Sequence, residues 1–346
     1  MKYYQKAVST PGIPYYTYEE MQQDLAALQA EYPAFLQLHS AGKSVEGRDI
    51  TEVILGNIES RFHILIQASM HAREYMNTIL MMNQINDYLR QKTGKYLENQ
   101  SCKRYASSQD VYGIHTFSRD KKYIHRALNN IQDICFHIIP MVNPDGVTLC
   151  QNMNAALANP IVKKCAASRQ EANNFIQRWK ANARGVDLNR NFDIGWASYI
   201  GAPAPCEEGY KGPSPASEPE TQAILHTASK YKFACCISYH SSGNLIYWDY
   251  GCRGNLRQKE LALANYASTI IGYPLHSTIQ DAAATAGCSD YFVLKLKIPA
   301  ITIETGAGEC PLSTEEYPEI YKRNNNLWIN HKVIFDYLFK SSYMPV

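Results

Sequence analysis

The chain has 346 residues, 45% of them hydrophobic and 19% charged, and its 34 basic and 32 acidic side chains leave a formal net charge of +2. A chain of this length can bury about 75% of its unfolded surface without disulfide staples, and its balanced charge gives no basis for nucleic acid or an anionic membrane as partner. No apolar run approaches the ~20 residues of a membrane-spanning helix.

In chain order, the first 18 residues (MKYYQKAVSTPGIPYYTY) contain neither an apolar signal core nor a small-residue cleavage site, so a cytoplasmic, reducing location is expected. Thr17 and Glu20 form a capping box ahead of Met21, Leu25 and Leu28, which share one helical face. Residues 49–55 (DITEVIL) and 62–68 (FHILIQA) are short, apolar and β-branched, hence strands. Residues 77–90 place Met81, Ile85, Tyr88 and Leu89 at helical spacing, and 131–142 (IQDICFHIIPMV) reads as a strand ended by an Asn-Pro-Asp-Gly turn. Ser217 and Glu220 suggest a second capping box, before a helix carrying Ile224, Ala228 and Tyr231. A buried strand at 233–239 follows, then a helix at 259–271 stopped by Gly272 and Pro274, a strand at 298–304 (IPAITIE) and a closing helix at 319–339.

Strands separated by helices imply an α/β fold, with a mixed, mostly parallel sheet and helices on both faces. No Gly/Ser linker, charge block or repeat divides the chain, so residues 1–346 are expected to form a single domain, with irregular surface insertions near 94–119 and 151–177. Ten cysteines occur without a CxxC pair. That excludes a zinc ribbon or a thioredoxin-type site and leaves ordinary buried thiols.

Open α/β sheets bind ligands beyond the carboxyl ends of their strands, and four polar segments lie there. His71 and Glu74 follow the strand FHILIQA three residues apart, so both can converge on one point, and imidazole and carboxylate are zinc-type ligands. HxxE alone also describes a plain surface pair. His240 ends the strand FACCISYH and is the natural third ligand, or a hydrogen-bonded core residue. Glu304, in the apolar strand AITIE, reads either as a structural ion pair or as a general base for water at a metal. Asn189 and Arg190, in GVDLNRNF, can grip a substrate carboxylate, since guanidinium matches a carboxylate fork.

The segments HAREY (71–75), NPDG (143–146), GVDLNRNF (185–192), SYHSSG (238–243) and TIETG (302–306), with GKSVEGR at 42–48, together resemble the zinc metallocarboxypeptidase family, in family order and over nearly the whole chain. The peptides WKANARGVDLNRNF (179–192) and GYKGPSPASEPET (209–221) are similar to its bacterial branch, which cleaves the γ-D-glutamyl–diaminopimelate bond of cell-wall peptides. The resemblance implies one Zn2+ per chain on His71, Glu74 and His240, with Glu304 as the base. It also implies Asn189 and Arg190 as carboxylate binders and Arg73 lining the groove. The implied substrate is a small peptide or muropeptide with a free carboxylate.

Two departures stand out. Family members carry an oxyanion-stabilising arginine five residues before the glycine of GVDLNRNF, where this chain has Lys180; Arg184 is the rival for that role. The mobile tyrosine of digestive members has no counterpart among residues 274–290, and Ser289 stands where side-chain preference is often set. A carboxypeptidase acting on ordinary α-linked L-peptides, or a catalytically impaired zinc- or peptide-binding protein, are the alternatives. Trp248 is a candidate for the groove, Cys235 and Cys236 read as core, and His63, His115 and His276 lack partner spacing and read as structural.

Overall fold

The protein is described by a computed structural model covering residues 2–3, 15–93, 134–167, 169–280 and 285–328. The insertion expected at 94–119, residues 131–133 of the strand expected at 131–142, and the part of the expected 319–339 helix beyond residue 328 lie outside the described residues.

Helix α1 (Tyr18–Glu31) begins at the Thr17–Glu20 capping box and buries Met21, Leu25 and Leu28. Strands β1 (Leu36–Lys43), β2 (Asp49–Leu55) and β3 (Phe62–Ala68) follow, then α2 (Met76–Lys92) and β4 (Ile134–Ile139). Helix α3 (Pro144–Gln151) leads into three short helices, α4 (Met153–Ala158), α5 (Pro160–Ala166) and α6 (Ala172–Gln177). The remaining elements are α7 (Pro219–Lys230), β5 (Phe233–His240), β6 (Leu245–Trp248), α8 (Gly254–Ile271), β7 (Leu275–Ser277), β8 (Ala300–Glu304) and α9 (Tyr317–Asn324).

The eight strands form one sheet in the order β1-β2-β4-β3-β5-β8-β6-β7. The central strands β4, β3, β5 and β8 run parallel, β2 and β6 flank them antiparallel, and the edges are β1, antiparallel to β2, and β7, parallel to β6. Parallel strands covered on both faces read as continuous apolar runs, and alternation divides their side chains between two cores. Ile64, Ile66 and Ile237 pack with Met81 of α2 and Leu263 of α8. Leu65 and Cys236 face the other way, against Ala223 and Ile224 of α7. The fold is the expected α/β architecture, with all four parallel carboxyl ends on one edge.

Three local expectations are corrected. Asn-Pro-Asp-Gly starts a helix rather than closing a strand: Asn143 Oδ1 accepts from the Gly146 N–H at 2.9 Å, and Pro144 occupies the first turn of α3, where its missing N–H costs nothing. Residues 151–177 are largely helical, because Asn152 and Asn159 cap α4 and α5. Ser217 and Glu220 form no capping box. The Glu220 carboxylate instead accepts from the Val45 N–H at 3.0 Å and from Asn182 Nδ2 at 3.1 Å, and its burial pushes the carboxyl up to about 7.

Candidate active site

Beyond the end of β3 the chain turns at Ser69, whose φ of 51° lies in the left-handed region. Its hydroxyl contacts Thr78 Oγ1 at 2.8 Å and donates to the Glu74 carbonyl at 3.2 Å, which holds that turn. A single 3-10 turn, Ala72–Glu74, then sets His71 and Glu74 on the same side, since i and i+3 eclipse in that geometry. His71 Nδ1 lies 2.7 Å from Glu74 Oε1. The last residue of β5 completes the group: His240 Nδ1 is 3.0 Å from both His71 Nδ1 and Glu74 Oε2. All three side chains are buried.

Two imidazole nitrogens and a carboxylate, turned on one another at these distances, are a donor set for a divalent cation. Electrostatics favours the ligating form of His71 and Glu74, whereas at His240 burial is outweighed by the pull of Glu74, which raises the imidazole. Burial pushes the His71 imidazole towards its neutral form. Burial also opposes charge on Glu74, yet His71 and His240 hold that carboxyl well below the usual carboxylate range. A tetrahedral zinc site with bonds of ~2.0–2.1 Å spaces its nitrogens about 3.3 Å apart, so the group needs to open by only a few tenths of an ångström.

Asp187, in the middle of GVDLNRNF, has a role that its own segment does not announce. It is fully enclosed, with Oδ1 3.3 Å from His71 Nε2 and Oδ2 3.2 Å from Lys180 Nζ. Despite burial, Lys180 and then His71 keep it far below the usual carboxylate range. A carboxylate behind a ligand histidine fixes its tautomer and ring plane. The only local signal is an aspartate two residues before Asn189; its partner His71 is 116 positions away.

Glu304 is the register partner of His240 across β5 and β8. Burial pushes its carboxyl up to about 7, with His240 acting against that rise and Glu74 adding to it. The group sits at one side of a cleft of about 600 Å³, which also receives Arg73, Arg178, Lys180, Asn189 and Arg190. Arg178 is an addition to the expected set, with no spacing in the sequence to mark it. Asn189 Oδ1 accepts from the Cys288 N–H at 2.8 Å, and Arg190 Nη1 donates to the Asn189 carbonyl at 2.7 Å with its guanidinium 5.4 Å from the Tyr199 ring. Both residues are therefore held in place before any ligand arrives.

Arg184 is not brought to the cleft. It points outward, with Nη1 3.7 Å from Glu218 Oε2 and its side chain 55% exposed. Trp248 is likewise excluded: it is buried beneath Arg257, and strand alternation turns its neighbour Tyr247 to the cleft instead. Beyond Arg190 the wall is polar. Tyr250 donates to Thr302 Oγ1 at 2.9 Å, Ser289 Oγ lies 2.8 Å from the same hydroxyl, and Asp290 stands beside them with its carboxyl raised by burial. His63, expected to be solitary, faces His137 and Cys135 at the far end of the sheet.

The described cysteines are free thiols, and Cys235 and Cys236 are core residues as expected. No described helix is long and apolar enough to cross a membrane.

The sequence matches the zinc carboxypeptidase family over residues 21–324. It is 33% identical to gamma-D-glutamyl-L-diamino acid endopeptidase 1 of Lysinibacillus sphaericus over 313 residues, covering 89% of this chain and 69% of that protein. Carboxypeptidase A2 of Rattus norvegicus is 25% identical over 238 residues, 68% of this chain but only 47% of the rat protein. The fold is similar to that of carboxypeptidase A from Helicoverpa armigera, with a TM-score of 0.66, 19% identity, and coverage of 99% of this chain and 79% of that one.

Proposed function

The chain belongs to the zinc carboxypeptidase family and is a zinc-dependent peptidase, and from that premise we propose that it hydrolyses the γ-D-glutamyl–diaminopimelate amide bond of peptidoglycan-derived peptides. The observation that carries this choice of substrate is the polar wall beyond Arg190. Tyr250, Ser289 and Thr302 present hydroxyls there and Asp290 a carboxyl, where an apolar pocket would suit an aliphatic or aromatic side chain. Diaminopimelate ends in an ammonium and a carboxylate, which such a wall can solvate. The L. sphaericus relative supports the same reading through its name.

In this proposal His71, Glu74 and His240 hold the zinc, and Asp187 orients His71. Zinc, when bound, supplies Lewis-acid polarisation of the scissile carbonyl and makes water acidic enough to give up a proton near neutral pH. Glu304 takes that proton and passes it to the leaving amine, a task suited to a carboxyl that burial has pushed up to about 7. Lys180 offsets the negative charge that develops on the carbonyl oxygen, held in position by its 3.2 Å contact to Asp187. Asn189 and Arg190 bind the free carboxylate beside the scissile bond, and Arg73 with Arg178 gives the cleft its attraction for anionic peptides.

Incubating the full chain with L-Ala-γ-D-Glu-diaminopimelate, with and without a zinc chelator, tests the reading. Chelator-sensitive release of free diaminopimelate is expected, and no release, or release of γ-D-Glu-diaminopimelate in its place, overturns the substrate assignment. The likeness to carboxypeptidase A2 favours a second reading, release of C-terminal residues from α-linked L-peptides. A panel of such peptides assayed side by side separates the two.

A further inference from the structure

Every strand contributing to the cleft has an opposite, amino end, and there the chain places a second set of ligand-type side chains that the peptidase chemistry does not use. His63 is the second residue of β3 and Cys135 the second of β4; they are direct partners in the parallel register. His137 lies two residues beyond Cys135, so the period of the strand puts all three side chains on one face of the sheet. Their donor atoms converge. His63 Nδ1 is 2.8 Å from His137 Nε2, and Cys135 Sγ is 3.5 Å from that same nitrogen. All three residues are buried.

The surroundings fix which nitrogen carries the proton. His137 Nδ1 lies 2.6 Å from Glu52 Oε1, so its hydrogen belongs on that side and its Nε2 presents a lone pair to His63 and Cys135. This repeats, with other residues, the Asp187–His71 arrangement at the active site. The second carboxylate oxygen, Glu52 Oε2, is buried without a hydrogen-bond partner, its nearest cation being Lys230 Nζ at 3.9 Å. Glu52 and a Cys135 thiolate together would neutralise a divalent cation; a monovalent one would leave the carboxylate to Lys230. The Tyr231 ring packs against the cluster, stacked 4.6 Å from His63 and tilted at 4.4 Å from His137.

We propose that His63 Nδ1, Cys135 Sγ and His137 Nε2 form a second, structural metal site for a thiophilic d10 cation, Zn2+ or Cu+, with Glu52 as the carboxylate behind His137. Two imidazoles and a thiolate are the donors that these ions select over harder cations. The cluster must open slightly more than the catalytic group, since its paired nitrogens are 2.8 Å apart against 3.0 Å there. Binding displaces the thiol proton of Cys135, which burial and Glu52 otherwise hold up to about 12. The ion would tie β3 to β4 at the end of the sheet remote from catalysis, where the two strands are separated by 65 residues of chain.

Metal analysis of the full chain purified under reducing conditions, followed by Co2+ substitution, tests the proposal. Two equivalents of metal per chain are expected, and the elemental analysis states whether the second is zinc or copper. Co2+-loaded protein is expected to show a thiolate-to-metal charge-transfer band in the near ultraviolet, which a His–Glu–His site cannot produce. The band should persist in Glu74→Ala, which empties only the catalytic group. It should vanish in Cys135→Ser, which should hold one equivalent and keep activity within about threefold of the unsubstituted enzyme. One equivalent in the wild type, lost in Glu74→Ala, overturns the proposal and leaves a hydrogen-bonded His–Cys–His cluster. A band that survives Cys135→Ser overturns it as well. The Co2+ spectrum of the unsubstituted protein requires no variant to fold.

Discussion

The two histidine clusters occupy opposite ends of the same strands, β3 and its parallel neighbours, and their differences show how one sheet can separate chemistry from cohesion. At the carboxyl end, His71, Glu74 and His240 lie just past the strands, in a 3-10 turn and at a strand terminus, and open onto a cleft. At the amino end, His63, Cys135 and His137 lie within the ladder and against the Tyr231 ring. Each has a carboxylate behind one histidine, Asp187 for His71 and Glu52 for His137. What differs is access: the carboxyl-end group opens onto the cleft, whereas the amino-end group is packed against the Tyr231 ring.

The largest effect that sharpens this contrast is expected from Glu304→Gln, which should lower kcat by about 10³-fold while leaving metal content unchanged. The pH dependence follows from the same residue. Its carboxyl is raised, so it is protonated and inactive as a base below its pKa, and kcat/KM should climb with pH along an acid limb. That limb should have its midpoint at or below about 7, because a bound cation stabilises the carboxylate. Steady-state profiles of both proteins check this; a midpoint well above 7, or an unchanged limb in Glu304→Gln, would remove Glu304 as the base.

Lys180→Ala should reduce kcat by about 10²-fold with KM changed much less, as for loss of an oxyanion donor. Arg184→Ala should stay within about twofold, since Arg184 faces Glu218 and solvent. Equal losses in the two variants would return Arg184 to contention.

The paired carboxylates give the next comparison. Asp187→Asn should weaken zinc retention by about 10- to 100-fold and lower activity in proportion at limiting zinc. Glu52→Gln should weaken retention at the second cluster by about 10-fold, measured by competition with a chelator, and leave peptide hydrolysis alone. If Glu52→Gln depresses hydrolysis as strongly as Asp187→Asn, the two ends of the sheet are not independent.

Much of the fold and of the catalytic group is legible in local signals of the sequence. The capping box at Thr17 and Glu20, the apolar runs of β2 and β3 and the three-residue spacing of His71 and Glu74 are each encoded within a few positions. The Ser217–Glu220 spacing misleads because both side chains are claimed by partners elsewhere, Glu220 by the Val45 N–H across 175 positions. Trp248 misleads because strand alternation, and not nearness in sequence to His240, decides which aromatic faces the cleft.

The sequence by itself therefore determined most of the elements, the family and the candidate donor set of His71, Glu74 and His240, because strand ends and short spacings are local properties of the chain. Only the tertiary structure decided that Asp187 backs His71, that Arg184 faces away, and that His63 meets Cys135 and His137. Those facts depend on strand register and on which long-range partner captures each polar group. Neither is written in the neighbouring residues: a shift of one position in the pairing of β3 with β4 would turn His63 away from Cys135 and His137 to the other face.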